Sequence, residues 1–194
     1  MAWFLFCCID GVFYRLAAIP HYSNIIIRMV PIHVLTMIFT APDHPAIMVL
    51  EPEEESPIRG VERILPIWIG PQEAMQVGTA LERIKMPRPL THDLFLDALT
   101  NLDARVDHVL ISGVSGKTYF AKLYIRQGAR LIELDARPTD AISLAIREDS
   151  PMYVDDEVLA SASFPFILKE GADKEMELKE FDSFIENLKP EDLL

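Results

Sequence analysis

After Asp103 the apolar residues fall into a period of two and hold it, with two short breaks, as far as Asp135. That period sends alternate side chains to opposite faces, so it predicts three strands at about 104–111, 117–126 and 130–135. The breaks, at 113–116 and at Gln127-Gly128-Ala129, are too short for helices and suit hairpins. A meander of this kind must bury one face, and the flanking segments supply the cover.

Upstream, residues 30–39 are apolar on both parities, with β-branched Val30, Ile32, Val34 and Ile38, which reads as a buried central strand. His33 inside that run reads as a core histidine with its hydrogen bonds met. Further strands are expected at 46–50, after the turn Pro42-Asp43-His44-Pro45, and at 61–69, after the acidic loop 51–57. Pro71 then suits a first helical position, with Glu73 in the first turn and Ala74, Val77, Leu81 and Ile84 as a buried stripe; Gly78 suggests a close approach. After Met86-Pro87-Arg88-Pro89, Thr91 reads as the N-cap of a second helix buried through Leu94, Phe95, Ala98, Leu99 and Leu102. Pro138 opens a third helix, followed by a short strand at 152–154 and a helix from about Asp156. Strands, helices, meander and helix in that order predict an α+β fold, with helices packed on a mixed, mostly antiparallel sheet.

The 194 residues carry 18 Lys and Arg against 30 Asp and Glu, a net charge of −12. Such a chain lacks the broad basic surface that holds a polyanion stably. The acidity is spread: residues 169–194, which read as an acidic amphipathic tail, hold four Lys against nine Asp and Glu, and the remainder is acidic too. Cations gather at Arg83, Lys85 and Arg88, at Arg137, and on one sheet face. Any nucleic acid is therefore met locally and transiently.

The two cysteines, Cys7 and Cys8, are adjacent and offer neither a long-range disulfide nor metal-ligand spacing, which fits a reducing, cytoplasmic setting. Residues 1–28 are apolar but lack a basic start and are interrupted by Asp10 and Arg15. They read as an extension outside a domain spanning 29–168, with Met29 as the natural beginning, and no membrane partner is expected.

Chemistry is expected where polar residues crowd helix starts. Asp135-Ala136-Arg137-Pro138-Thr139-Asp140 joins a strand end to a helix N-terminus, where N–H groups and Arg137 can grip a phosphate and Asp135 and Asp140 can hold a hard cation, Mg²⁺ or Mn²⁺. An anion clamp beside a metal ion is what phosphodiester hydrolysis uses. The plainer alternative is a first-turn acid with Arg137 paired to Asp135 or Asp140. In Arg88-Pro89-Leu90-Thr91-His92-Asp93, His92 suits a general base or ligand, Asp93 a second ligand and Arg88 a phosphate contact; a capped, solvated helix start explains the same residues. Glu73 is a further carboxylate of this kind. On the strand 117–126, alternation places Thr118, Phe120, Lys122, Tyr124 and Arg126 on one face. Rings interleaved with cations suit either a single nucleic-acid strand, with Lys122 and Arg126 on phosphates, or a subunit interface.

Three blocks, Leu65-Pro66-Ile67-Trp68-Ile69-Gly70-Pro71-Gln72-Glu73-Ala74, Arg88-Pro89-Leu90-Thr91-His92-Asp93 and Asp135-Ala136-Arg137-Pro138-Thr139-Asp140-Ala141, resemble the signature blocks of the bifunctional nuclease family. The similarity runs from about residue 29 to 158, with a family-like acidic tail ending Lys189-Pro190-Glu191-Asp192, and Thr139 stands where the family pattern has Ser. The resemblance implies a compact α+β domain that self-associates as a homodimer or larger oligomer, and a nuclease acting on DNA and RNA. It also gathers the three helix starts into one pocket. The expected activity is metal-assisted, with DNA and RNA as transient substrates. The alternative is a non-catalytic dimeric binding or regulatory domain.

Overall fold

The computed structural model describes residues 5–9, 12–16, 27–39, 44–53 and 62–166. In chain order its elements are β1 (Leu5–Ile9), β2 (Val12–Leu16), β3 (Ile27–Phe39), β4 (Ala46–Pro52), β5 (Glu62–Ile69), α1 (Pro71–Leu81), α2 (Thr91–Asn101), β6 (Ala104–Ser115), β7 (Thr118–Gln127), β8 (Arg130–Ala136), α3 (Pro138–Glu148), β9 (Met152–Asp155), α4 (Asp156–Ala162) and β10 (Phe164–Phe166). Eight strands form the main path β10-β5-β4-β3-β9-β6-β7-β8, and the β1–β2 hairpin joins it by pairing β2 with the start of β3. Every neighbouring pair is antiparallel except β6 and β9, which run parallel. The domain is thus α+β with a mixed sheet, as the pattern predicts. The acidic tail lies outside the described residues.

The meander forms as the alternation dictates, with Gly116 and Gly128 at its two turns in the left-handed region, φ 58° and 55°, where a Cβ is disfavoured. Its apolar parity, Ala121, Leu123 and Ile125 on β7, meets the buried face of α3, Ala141, Ile142 and Ala145. Burying a residue such as Ile142 contributes about 1.5–3 kcal/mol, and the shared core also takes Ala74 and Val77 of α1, Leu99 of α2 and Val158 and Leu159 of α4. All four helices therefore contribute to one core, and the starts of α1, α2 and α3 converge beside the middle of β7 and the end of β8.

Several local expectations change. β3 is central but half-solvated, and His33 is no core residue: its side chain is 42% exposed, with Nε2 3.2 Å from Glu51. Leu81 and Ile84 stay exposed because α1 ends at Leu81, and a Cβ on Gly78 would meet nothing within 4 Å, so no close approach exists there. α2 buries only Leu99 fully, with Phe95 and Leu96 partly buried; it lies at the rim of the core, leaving Leu94 and Leu102 exposed. Thr91 does not cap it. Leu90 takes the extended N-cap conformation, and the Asp93 carboxylate accepts the Leu90 N–H at 2.9 Å.

Candidate functional site

The sequence turns abruptly from strand to helix twice. β5 ends at Ile69 and α1 opens at Pro71; β8 ends at Ala136 and α3 opens at Pro138. A proline at the first helical position needs no N–H there and sets φ for the helix, so each strand end is followed within one residue by a helix start. The start of α2 packs against them. Between the three starts, the middle of β7 at Leu123 and the end of β8 lies a cavity of about 580 Å³, whose polar lining includes Glu73, His92, Asp135, Arg137, Thr139 and Asp140. All three sequence blocks reach it.

Arg137 organises the polar wall. Its Nε donates to Asp140 Oδ2 at 2.7 Å, Nη2 to Asp140 Oδ1 at 3.2 Å, and Nη1 to Glu73 Oε1 at 2.9 Å. The first contact pair is a two-pronged grip, the form in which guanidinium also holds a phosphate. Arg137 is 64% exposed, so a further ligand can reach it from solvent. His92 Nε2 lies 3.3 Å from Asp140 Oδ1, and its ring is only 11% exposed. Burial, and then the charge of Arg147, hold the His92 pKa below its usual 6.5 although Asp140 and Asp93 pull the other way. Burial alone would raise the Asp140 carboxyl, but the hydrogen bonds and charge of Arg137, then of His92, outweigh it and keep that group below 3.8. At neutral pH the site thus holds a neutral imidazole donating from Nε2 to a carboxylate, and buried Nδ1 has no hydrogen-bond partner among the described residues.

The remaining candidates divide. Asp135 is exposed on the cavity rim at the end of β8. Asp93 points away from the cavity: one oxygen takes the Leu90 N–H and the other accepts Arg147 Nε at 3.0 Å. Arg88 is exposed in the loop before α2 and does not line the cavity. Lys122 and Arg126 occupy the opposite sheet face from cavity-lining Leu123, where Lys122 pairs with Glu133 at 2.6 Å and Arg126 with Asp107 at 2.7 Å. Tyr124, expected outward between them, is buried because His108 stacks on its ring at 4.1 Å and its hydroxyl donates to Glu133.

Arg147 is a residue that local sequence patterns do not single out. Its side chain, 11% exposed, also donates to the Ser143 and Gln76 carbonyls and to Thr79 Oγ1, so one guanidinium ties α1, α2 and α3 together. The available signal was its place seven residues after Asp140, on the same helix face.

Glu73, Asp135 and Asp140 are suitable oxygen donors for a divalent cation, yet Arg137 engages both oxygens of Asp140 and one of Glu73. Among the described residues no three His, Cys, Asp or Glu groups are gathered as ion ligands. As arranged, the donor set does not fit a resident ion.

A family model described as the bifunctional nuclease domain matches residues 54–166. An uncharacterized protein of Mycobacterium tuberculosis is 33% identical over 138 residues, covering 68% of this chain and 81% of its own length. Bifunctional nuclease 1 of Oryza sativa subsp. japonica is 27% identical over 124 residues, and Bifunctional nuclease 1 of Arabidopsis thaliana 26% over 114. The matches cover 62% and 57% of this chain but only 35% and 33% of the two plant proteins.

Proposed function

The chain belongs to the bifunctional nuclease domain family, and from that premise we propose that it hydrolyses phosphodiester bonds in DNA and RNA at the cavity shared by Arg137, Asp140 and His92. One observation carries the reading: a solvent-facing arginine in two-pronged contact with a carboxylate, beside a neutral buried histidine on that same carboxylate. A phosphodiester presents the same pair of anionic oxygens as a carboxylate and competes for the guanidinium. Once Arg137 turns to phosphate, Asp140 loses the partner that most depresses its basicity and keeps His92. It can then orient a water and accept its proton as the water oxygen attacks phosphorus. The P–O ester bond breaks, and the departing oxygen is protonated from solvent. Arg137 stabilises the charge that grows on the phosphoryl oxygens.

The metal-assisted form of the reaction, with Mg²⁺ or Mn²⁺ on Asp135 and Asp140, would require Arg137 to release Asp140. Self-association is part of the proposal, and Phe39, Met75 and Ile84, exposed around a second cavity of about 790 Å³, supply apolar surface for it. That patch is also what favours the second reading, a dimeric binding domain without catalysis.

The test is incubation of the purified protein with single- and double-stranded DNA and RNA, with Mg²⁺, with Mn²⁺ and with chelator. The reading expects cleavage that disappears in Arg137→Gln. Cleavage that persists in that variant would place the activity elsewhere, and absence of cleavage in every arm would favour the binding domain.

A further inference from the structure

On the far side of the Arg137–Glu73 ion pair lies a third, smaller cavity of about 250 Å³. Glu73, Arg137 and Thr139 line both spaces, so the ion pair is the wall between them. The rest of the small cavity comes from residues 67–70 at the end of β5, residues 117–119 at the start of β7, and Pro138. It exists because β10 pairs with β5 only at residues 62–64. Beyond that point the outer edge of β5 has no strand partner among the described residues, and its peptide groups face the start of β7. Tyr119 meets one of them by donating its hydroxyl to the Pro66 carbonyl at 3.3 Å.

The two cavities differ in chemistry. The large one gathers carboxylates and an imidazole around the guanidinium. The small one offers Tyr119, the hydroxyl-bearing Thr118 and Thr139, the ammonium of Lys117 and a strand edge; Trp68 lines it while packing against the cluster of Ile38, Ile47, Val49 and Ile64, and the cavity's carboxylate, Glu73, is turned onto Arg137. Such walls suit a flat ring with hydrogen-bonding edges. In a nucleic-acid strand, phosphates and bases alternate, so a phosphate on Arg137 brings an adjoining nucleoside to this position.

Resting on the hydrolase reading, we propose that the small cavity is the subsite for the nucleobase adjoining the phosphate held by Arg137. Tyr119 contacts the ring, and Thr118 and the β5 edge meet its polar rim. A base within a duplex has its edges paired and its faces stacked, so this subsite selects unpaired strands, as aromatic-lined grooves do generally.

The test reads binding without cleavage. In full-length Trp3→Phe protein, Trp68 is the sole tryptophan, since the chain has two. The probes are a thymidine dinucleotide with a phosphorothioate linkage and, as a phosphodiester without bases, dimethyl phosphate, each followed by Trp68 fluorescence and ³¹P NMR. The dinucleotide is expected to bind more tightly and to change Trp68 emission, whereas dimethyl phosphate binds without that change. Tyr119→Leu should weaken the dinucleotide about tenfold and leave dimethyl phosphate unaffected, with Tyr119→Phe restoring binding. Should Tyr119→Leu fail to fold, Thr118→Val on the exposed rim should give the same selective loss at smaller size. Equal affinity for both probes, or equal weakening of both by these variants, overturns the subsite. Base-dependent binding with no cleavage under any condition would instead overturn the hydrolase reading and leave the subsite standing.

Discussion

Arg147 and Asp93, 54 residues apart, meet through a 3.0 Å hydrogen bond from Nε to Oδ1. The contact does two things at once, because the other oxygen of Asp93 caps α2 while the rest of the guanidinium holds the carbonyls of Ser143 and Gln76. The start of α2, and with it His92, is thereby fixed against α1 and α3.

Replacing Arg147 by Met should therefore cost stability out of proportion to one surface pair. It removes the hydrogen bonds to Asp93, Ser143, Gln76 and Thr79 from a side chain only 11% exposed and leaves Asp93 without its partner. A loss of about 2–3 kcal/mol is expected, and Arg147→Lys should recover only part of it, since an ammonium cannot span the same acceptors. Denaturant unfolding measures both.

The capping assignment separates two neighbouring residues. Asp93→Ala should cost about 1–2 kcal/mol through the lost Leu90 cap and the stranded Arg147, whereas Thr91→Ala, whose hydroxyl makes no capping bond, should change stability by less than about 0.5 kcal/mol. Equal effects in thermal unfolding would restore Thr91 as the cap.

Of the described groups whose folded values lie below their unfolded ones, His92, Asp107 and Asp140, the two at the site separate in pH. His92 stays neutral in the fold while the unfolded chain gains a proton near 6.5, so stability should fall as pH drops below about 6.5 and level off past the folded value. Asp140 adds a second loss as pH falls through 3.8 toward its own folded value. His92→Gln should remove the first phase and leave the second. NMR titration of the His92 ring checks the direction, and a ring pKa above 6.5 would contradict it.

Gly70 has an ordinary φ of −69°, so alanine is tolerated by the backbone there, but the added Cβ would meet Glu73 Oε2. The side chain can swing away. Gly70→Ala should thus keep stability within about 1 kcal/mol while displacing Glu73 from Arg137. In a crystal structure of the variant, the Glu73 carboxylate should stand beyond hydrogen-bonding distance of Arg137 Nη1. An ion pair still formed there would contradict the account.

Much of the site was legible because prolines punctuate it: Pro71 and Pro138 mark helix starts directly after strands, and the acids beside them follow. Gathering of Glu73, His92 and Asp140 was legible only through the family resemblance, since no spacing in the chain reports which helix ends meet. The Arg137–Glu73 contact spans 64 residues, and Arg147 reaches Gln76 across 71. Such contacts depend on how α1 packs on α3, which no local pattern carries. Thr91 was misread because a threonine and an acid two residues later both suit capping, and the backbone at Leu90 decides between them. Alternation on β7 correctly separated two faces but could not show that His108 covers Tyr124, or that Asp107 and Glu133 occupy the cations on that face.

In the proposed reaction, hydrolysis belongs to the Arg137–Asp140–His92 cavity and not to the opposite sheet face. Single-turnover cleavage of a labelled single-stranded oligonucleotide decides it, with wild type, Asp140→Asn, Lys122→Ala and Arg126→Ala purified identically. Asp140→Asn should lose roughly a hundredfold or more in rate. The two sheet-face variants should keep rates within about twofold of wild type, since both cations are partly exposed and already paired. Cleavage by Asp140→Asn at the wild-type rate, or its loss in Lys122→Ala or Arg126→Ala, would contradict it.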